Sequence, residues 1–416
     1  MAQFSTKERL IASMLNTFPG VKQFIKKVYI DVNALIYRKK YKEKVLFGNG
    51  KIVTIWDGFE ESFFGYYDKS PENSKGNVIV HLTEYNTKNI PSASKEIKIA
   101  VIRNDGSKQI IGKTSSYNWQ QGARAMWLND DLVAFNVFEQ NRYIAVVYSM
   151  SAEKVVKILP EPIQDARGTE YYLSINYRRI MEVRPDYGYR NMHVLSKEEM
   201  NSFNGAGILK IDYATGKTQE YISMDDIVKI SPKPIFDKCF HVVNHLMISP
   251  KNTGLIFVHR FYEGKRRHDR LMYFDGKKLC CVLDDDMVSH YCWIDEDNIF
   301  GYVRVNGVNG FYTINVKTGK TIPCDVLNSL ALGDGHPTFN NGRIIVDTYP
   351  DKSRMQHLMM LDIKQQKVIK LLKVYQSVKY MNQTRCDMHP RFSLDGKSVY
   401  FDSVYHGKRE LCKFEL

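Results

Sequence analysis

The chain has 416 residues, of which 44% are hydrophobic and 12% aromatic, enough to build a sizeable core. No stretch approaches the roughly 20 consecutive apolar residues of a membrane-spanning helix, and the N-terminus shows neither the apolar region nor the cleavage site of a secretory signal. We therefore expect a cytoplasmic protein. Its formal net charge of +13 favours an acidic partner.

The seven cysteines are odd in number and irregularly spaced, and no CxxC pair occurs among them. This pattern indicates reduced thiols, neither a zinc ribbon nor a disulfide framework. The basic residues are scattered and no base-stacking motif accompanies them, so nucleic acid is not the expected partner.

Residues 1–45 form a first segment of different character. Apolar residues recur at helical spacing from Leu10 to Val28, with a break at Pro19-Gly20, and lysines are interleaved in VKQFIKKVY and YRKKYKEK. Two interpretations stand. The segment is a helical extension packed on the main domain, or it is an interfacial helix in peripheral contact with an anionic membrane, which in a cytoplasmic protein is the inner membrane.

Residues 46–416 change to short alternating strands separated by Gly, Asn and Asp turns, which is typical of an all-β domain. A weak repeat has seven strand-opening segments: FFGYYDKSP, YNWQQGARAMW, GTEYYLSINYRR, NHLMISPKN, SHYCWIDED, DGHPTFNNG and DMHPRFSLDG. His245, His290, His336 and His389 follow one another at intervals of 45, 46 and 53 residues. Periods of this length predict a seven-bladed β-propeller. The last blade lacks an outer strand, which KIVTIWD, near residue 50, is expected to supply.

Propeller geometry predicts where the chemistry gathers. Within a blade, the start of the innermost strand and the end of the second strand lie at the same end, so both ring one mouth of the central channel. The second-strand ends are expected to supply Arg184, Tyr187, Tyr189 and Arg304. The other mouth carries ordinary turns such as SPKNTG and SLDG.

Four consecutive blades place a histidine at the same position, His245, His290, His336 and His389. Such a residue often serves only to hydrogen-bond adjacent blades. Four that converge near one axis can instead hold a divalent metal or provide a general base.

The residues in NHLMISP, GHPTF and RCDMHPRFSLDG resemble those of the seven-bladed polysaccharide lyases, of the oligogalacturonate lyase and short ulvan lyase types, and the SLDG turn is similar to TolB-type repeats. The resemblance covers about residues 55 to 416. It implies a carbon–oxygen lyase that cleaves a uronic-acid-containing polysaccharide or oligosaccharide by β-elimination. Because the N-terminus shows no secretory signal, we expect such an enzyme to act in capsule or exopolysaccharide metabolism at the inner face of the membrane.

The resemblance also implies roles for individual residues. His245 is the expected base, Tyr189 (or Tyr187) the proton donor, and Arg260 with Arg184 neutralises the substrate carboxylate. A divalent metal, zinc or manganese, is expected on His290, His336 and His389. The remaining expected substrate-binding residues are Tyr67, Asn118, Gln121, Tyr187, Arg304 and Arg385.

Other functions remain open. Hydrolysis by paired carboxylates would use Asp68, Asp334 and Asp387. A non-catalytic propeller that binds acidic glycan or a protein partner is the main alternative. Sialidases are disfavoured because SLDGKSVY has valine where their repeat has tryptophan, and prolyl-peptidase relatives are disfavoured because no G-x-S-x-G elbow occurs.

Overall fold

The computed structural model describes residues 19–48 and 50–416, and they form a seven-bladed β-propeller as the sequence predicts. Two strands precede the ring in the chain, β1 (Glu43–Val45) and β2 (Ile52–Thr54). Blade one has β3 (Glu61–Phe63), β4 (Val78–Thr83), β5 (Ile97–Ile102) and β6 (Lys108–Thr114). Blade two has β7 (Met126–Trp127), β8 (Leu132–Glu139), β9 (Arg142–Ser149) and β10 (Lys154–Leu159). Blade three has β11 (Asp165–Arg167), β12 (Tyr171–Ile175), β13 (Ile208–Asp212) and β14 (Thr218–Ile222).

The later blades repeat the same antiparallel order from the channel outward. Blade four has β15 (Phe240–Ile248), β16 (Leu255–Glu263), β17 (Arg266–Phe274) and β18 (Leu279–Leu283). Blade five has β19 (Val288–Trp293), β20 (Asn298–Val305), β21 (Val308–Asn315) and β22 (Thr321–Pro323). Blade six has β23 (Pro337–Asn340), β24 (Arg343–Asp347), β25 (Met355–Asp362) and β26 (Lys367–Tyr375). Blade seven has β27 (Arg391–Phe392), β28 (Ser398–Ser403) and β29 (Glu410–Glu415).

The ring closes as predicted, because β2 pairs antiparallel with β29 and completes blade seven. Ile52 lies opposite Phe414 and Thr54 opposite Cys412. The strand β1 was not predicted; it adds a fifth strand to blade six by pairing with β26. Both pairings cover outer edges that would otherwise expose unpaired backbone groups.

The N-terminal helix α1 (Pro19–Ile36) begins at the predicted break, because proline lacks the N–H that a first helical position leaves unpaired. The predicted apolar positions before it lie outside the described residues. Elsewhere in the described chain, four further α-helices lie within blade three or between later blades: α2 (Tyr177–Val183), α3 (Lys197–Asn201), α4 (Met224–Lys229) and α5 (Asp325–Asn328). The segment SKEEMN, which contains α3, was predicted to be helical. No helix within the described ranges is both long and apolar enough to cross a membrane.

Blade three differs from the sequence-based prediction. Its innermost strand is β11, and GTEYYLSINYRR contains the second strand, β12. Arg184, Tyr187 and Tyr189 therefore do not end a second strand; they lie in an insertion of residues 176–207 between β12 and β13 that contains α2 and α3. The polar, aromatic-rich insertion has no period-two alternation, so the pattern used to count strands could not delimit it.

Four pairs of adjacent blades are joined by a repeated hydrogen bond. A buried polar side chain on a second strand accepts a backbone N–H in or beside the innermost strand of the next blade. His81 accepts from Ala123 at 3.0 Å, Asn136 from Ile163 at 2.7 Å, and Asp347 from His389 at 3.1 Å. We call these the interblade hydrogen bonds.

The fourth interblade hydrogen bond closes the ring between blades seven and one. The Asp402 carboxylate accepts from the backbone N–H groups of Phe64 at 3.0 Å and Gly65 at 2.9 Å. It also forms a 3.2 Å ion pair with Arg391, and both side chains are almost completely buried. Asp402 thus neutralises a buried guanidinium while it pairs two buried donors.

We expect Asp402→Ala to lower the free energy of unfolding by about 3–5 kcal/mol, because it leaves a buried charge and two buried N–H groups without their partner. Denaturant unfolding followed by circular dichroism measures the change. Glu153→Ala is the control, since Glu153 forms only an exposed 3.5 Å pair with Arg103 and its loss should cost below about 1 kcal/mol. Equal effects of the two substitutions would contradict the assignment.

Candidate functional site

A cavity of about 490 Å³ opens at the mouth where the second strands end. The insertion of blade three, the inner strands of blades four and five, the loops of blades six and seven, and helix α1 all contribute to its wall. Its lining includes Arg184, Tyr187, His245, Arg260, Tyr262, Arg267, His290, Asp334, Tyr349 and Arg385. The predicted convergence of imidazole, guanidinium and phenol groups at one mouth is therefore present in the structure.

At the base of the cavity, the four histidines surround the buried Tyr66 ring on the propeller axis. Its centroid lies 5.5 Å from that of His245, 6.5 Å from those of His290 and His336, and 5.1 Å from that of His389. Neighbouring histidine rings are also close, with centroids 4.0 Å apart for His290 and His336. All four side chains therefore share one small volume at the base of the cavity, where His245 and His290 also line it.

The backbone helps to aim two of these histidines. His245 has φ of 51° and His389 has φ of 46°, in the left-handed region that non-glycine residues avoid. In blade four this conformation coincides with a shift of strand register between Asn244 and Met247. Such local strain is characteristic of residues that the surrounding fold holds in a required position.

The Asp347 carboxylate positions two histidines together. It accepts the backbone N–H of His336 at 2.7 Å and that of His389 at 3.1 Å, and it lies 2.9 Å from Nδ1 of the His336 ring. Burial disfavours a charged imidazole here, but the adjacent Asp347 charge outweighs it and raises the pKa of His336. With Nδ1 held by the carboxylate, Nε2 is the atom that His336 presents to its neighbours.

One set of potential metal ligands stands out among the described residues. The set consists of three buried residues, His336, Asp387 and His389. Each offers one ligand atom, and these three atoms lie within 4.8 Å of one another. The Nε2 atoms of both histidines are buried and have no hydrogen-bond partner among the described residues. Two imidazole nitrogens and a carboxylate suit a divalent transition metal, and a carboxylate behind one histidine is the usual second support. The chemistry of the donor set therefore fits the expected ion.

The predicted set and the observed set share two residues. Asp387 takes the place in this set that the sequence assigned to His290, and it also accepts Nε–H of Arg385 at 2.6 Å. The His290 ring instead has Nδ1 3.3 Å from Asp334, whose carboxylate accepts the Ser289 hydroxyl at 2.5 Å. Burial lowers the pKa of His290 to about 4. Its ring remains adjacent to that of His336.

His245 lies between the cavity and the axis. It lines the cavity, is 2% exposed, and its Nδ1 hydrogen-bonds the Tyr66 hydroxyl. Burial, reinforced by the Arg260 guanidinium, lowers the pKa of His245 well below its usual value. The imidazole is therefore neutral at neutral pH, as a general base must be.

Three arginine–aspartate pairs surround the cavity. Arg260 donates to Asp269 at 2.6 Å, and Arg267 lies 3.2 Å from the same carboxylate, so two guanidinium groups share one acid. Arg260 is 1% exposed, and its Nη1 has no hydrogen-bond partner among the described residues. This donor is available to an anion in the cavity.

In the other two pairs, one arginine faces one aspartate, so the charges of each pair balance. Arg184 forms two hydrogen bonds to Asp186, at 3.0 and 2.9 Å, and its guanidinium lies 4.8 Å from the centre of the Tyr187 ring. Although burial opposes ionisation, the Arg184 charge lowers the pKa of Asp186 to about 2. Arg385 is paired with Asp387 through Nε alone, at 2.6 and 2.8 Å from the two carboxylate oxygens, and both arginines line the cavity.

The two tyrosines considered as proton donors lie in different places. Tyr187 lines the cavity, and its ring centroid is 5.5 Å from that of His245. Tyr189 lies outside the cavity lining; it stacks on Tyr177 with centroids 4.4 Å apart, and its hydroxyl accepts from Asn136 at 2.9 Å. Burial raises the pKa of Tyr187, so its hydroxyl keeps its proton at neutral pH.

Four predicted substrate-binding residues do not line this cavity. Tyr67 lies deeper in the channel and donates to the Tyr291 carbonyl at 3.1 Å. Asn118 and Gln121 are buried in a turn, where the Asn118 side chain accepts the Gln121 backbone N–H at 2.8 Å. Arg304 donates to Asn309 within the hairpin of blade five. Their functional roles stay predictions.

The sequence-based reasoning did not assign Arg267, Tyr262 or helix α1 to the site. Arg267 and Tyr262 face each other across β16 and β17, and both line the cavity. Arg267 belongs to a third strand, which the prediction did not consider, whereas Tyr262 follows the predicted Arg260 by two residues on a second strand. Strand periodicity places these two on one face, and this signal could have identified Tyr262.

The opposite mouth was expected to carry only ordinary turns, but it also contains charged side chains. A smaller cavity of about 290 Å³ there is lined by Asp68, Lys69, Asp165 and Arg391, among others. Asp68, considered for hydrolysis with Asp334 and Asp387, lies at this opening and pairs with the buried Arg124 at 2.8 Å. It is thus on the other side of Tyr67 from the larger cavity.

Comparisons with known proteins support the fold. No family model matches the chain, and no curated protein matches it. Among solved structures, the oligogalacturonate lyase from Vibrio parahaemolyticus is 12% identical with a TM-score of 0.58, covering 90% of this chain and 96% of that one. An oligogalacturonate lyase in complex with manganese is also 12% identical with a TM-score of 0.58, covering 90% of this chain and 97% of the other.

TolB from Acinetobacter baumannii also matches, at 12% identity and a TM-score of 0.38, over 70% of this chain and 62% of its own. The predicted resemblance to the lyase propellers is confirmed at the level of the fold. At 12% identity, the likeness shows the fold alone.

We expect the purified protein to bind Mn²⁺ or Zn²⁺ at one site, and His336→Ala and His389→Ala each to weaken binding by at least about tenfold, since each removes a ligand. Isothermal titration with each ion measures the affinity. His357→Ala is the control, because His357 lies in the same blade but pairs with Asp351. Unchanged binding in both ligand variants would show that this cluster is not the metal site.

Proposed function

We propose that the protein is a polysaccharide-lyase-like enzyme that cleaves a uronic-acid-containing saccharide by β-elimination. The observation that carries the proposal is the buried Nη1 of Arg260, which has no partner among the described residues and belongs to a cavity that also contains a neutral imidazole, His245, and a protonated phenol, Tyr187. A role in capsule or exopolysaccharide metabolism stays a prediction.

The substrate carboxylate needs a cationic partner because charge builds on it as the C5 proton leaves. Arg260 can donate through Nη1 while its Nε remains bound to Asp269. Arg267 adds positive charge to the same wall, since Asp269 is shared by both guanidinium groups. Arg184 is positioned by Asp186, which neutralises its charge, so Arg184 would orient the substrate more than it would add positive charge to the cavity.

In the elimination, His245 removes the proton at C5. The electron pair of that C–H bond forms the C4–C5 double bond, and the bond from C4 to the leaving oxygen breaks. If Nε2 is the atom that accepts the proton, Nδ1 must carry the ring hydrogen and donate it to the Tyr66 oxygen. Tyr66 is then a positioning residue that selects the tautomer of the base.

The leaving oxygen requires a proton as the bond breaks. Tyr187 is the better donor of the two tyrosines, because it lines the cavity beside His245 and Arg184. Tyr189 has no route to the leaving oxygen, because it packs behind the cavity wall against Tyr177. A divalent ion held by His336, Asp387 and His389 would supply additional positive charge for the substrate carboxylate.

We expect the protein to release unsaturated uronate products from at least one member of a panel of uronate-containing glycans. His245→Ala should lower kcat by about 10²–10⁴-fold, the usual contribution of a general base. The ultraviolet absorbance of the unsaturated product measures the rate. His406→Ala, an exposed histidine outside the cavity, is the control. Full activity of His245→Ala would refute the assignment of the base.

A second comparison tests the proton donor. Tyr187→Phe should lower kcat by about 10²-fold or more, because only the donated proton is removed. Tyr189→Phe should leave kcat unchanged and reduce stability by about 1 kcal/mol through loss of its bond with Asn136. The reverse pattern in the same assay would restore Tyr189 as the donor.

A non-catalytic role in binding acidic glycan is the second candidate. It is favoured by the unpartnered Nη1 of Arg260 and by the polar Arg184–Asp186 and Arg385–Asp387 pairs at the mouth, which can hydrogen-bond a saccharide without any proton transfer. Saturable glycan binding that Arg260→Gln weakens, with no unsaturated product from any glycan in the panel, would support this role over the lyase.

A further inference from the structure

Helix α1 has two distinct long faces. The first contacts the propeller: Tyr29, Ile30, Asn33 and Ala34 are half-buried, and the first three line the cavity. The Tyr29 ring lies 5.9 Å from the ammonium group of Lys352, in the loop between the second and third strands of blade six. This contact holds the helix against the rim of the mouth.

The second face is apolar and exposed. Six side chains on it are between 40 and 74% exposed: Phe24, Ile25, Val28, Val32, Leu35 and Ile36. The spacing of four, four and three residues from Phe24 to Leu35 places them in one stripe along the helix. A contiguous exposed apolar stripe of this length is unusual on a protein surface and marks an interaction site. We call it the apolar stripe.

The charge around the apolar stripe identifies what covers it. Residues 22–44 contain eight lysines or arginines and only two acidic residues. Four of the basic residues, at positions 38, 39, 40 and 42, follow directly after the helix, and all four are exposed. An apolar helix face bordered by basic residues matches the acyl chains and anionic headgroups of a membrane surface, whereas a protein partner would not need this excess of positive charge.

We propose that the apolar stripe of α1 docks the protein on an anionic membrane surface, with the helix lying in the plane of the interface. Because the opposite face of the same helix forms part of the cavity wall, docking places the mouth of the cavity beside the bilayer. The strand pairing of β1 with β26 fixes the basic segment to blade six, so the helix cannot dock independently of the propeller. This inference does not depend on the lyase proposal.

Vesicle co-sedimentation of the full chain tests the proposal. We expect binding to phosphatidylcholine vesicles that contain phosphatidylglycerol, weak binding to phosphatidylcholine alone, and loss of binding at high salt, which screens the headgroup attraction. The triple substitution Lys39→Gln/Lys40→Gln/Lys42→Gln should weaken the affinity about 100-fold, at about fivefold for each charge near the surface.

The apolar stripe is tested separately. Phe24→Glu/Leu35→Glu should abolish sedimentation with anionic vesicles, and both positions are exposed, so the fold should be retained. Ile158→Glu/Val308→Glu is the matched control, because both residues are at least 61% exposed on blades two and five. Circular dichroism verifies the fold of each variant.

Three results would overturn the proposal. The first is that the unaltered chain does not sediment with anionic vesicles. The second is that Phe24→Glu/Leu35→Glu binds them as well as the control. The third is a stable dimer in solution that this variant dissociates, which would assign the apolar stripe to a second copy of the chain. Glycan cleavage is measured without vesicles, so the lyase proposal is tested independently of membrane binding.

Discussion

The interblade hydrogen bonds are the constraint on which the rest of the structure depends. Each uses a buried polar side chain of one blade to satisfy a backbone N–H of the next, at a depth where an unpaired group would be costly. In blade seven, Asp402 does this for blade one and neutralises Arg391 as well. The strands β1 and β2 cover the outer edges of blades six and seven, whereas these inner contacts join blades one to two, two to three, six to seven and seven to one.

The same constraint shapes the candidate site. Asp347 binds the backbone of His336 and His389 and also one ring nitrogen of His336, so a single carboxylate sets the spacing of two imidazoles from different blades. Asp347 therefore joins two blades and also holds His336 and His389 so that their Nε2 atoms are buried without partners among the described residues. The same contacts therefore join adjacent blades and position the histidines for metal binding, so the two roles considered for these histidines are compatible.

The fold was largely predictable from sequence because propeller blades repeat. Seven strand-opening segments predicted the blade count, and a last blade short of one strand predicted the closure by β2. The site was less predictable. The insertion that carries Arg184 and Tyr187 follows no strand period, and Asp387 joins His336 only through folding, since the two lie 51 positions apart in the chain. Periodicity locates strands, but the direction of a side chain within a bulge depends on tertiary contacts.

Tyr66 and Tyr67 give the cavity a floor. Their rings lie 4.6 Å apart on the axis, and the Tyr67 hydroxyl is fixed by the Tyr291 backbone, so the two mouths of the ring remain separate cavities. A ligand must therefore enter and leave the larger cavity on the side bordered by α1. A long saccharide cannot thread through the ring; it must lie across the mouth or insert one end, and the face of α1 toward the cavity then forms part of the surface that it meets.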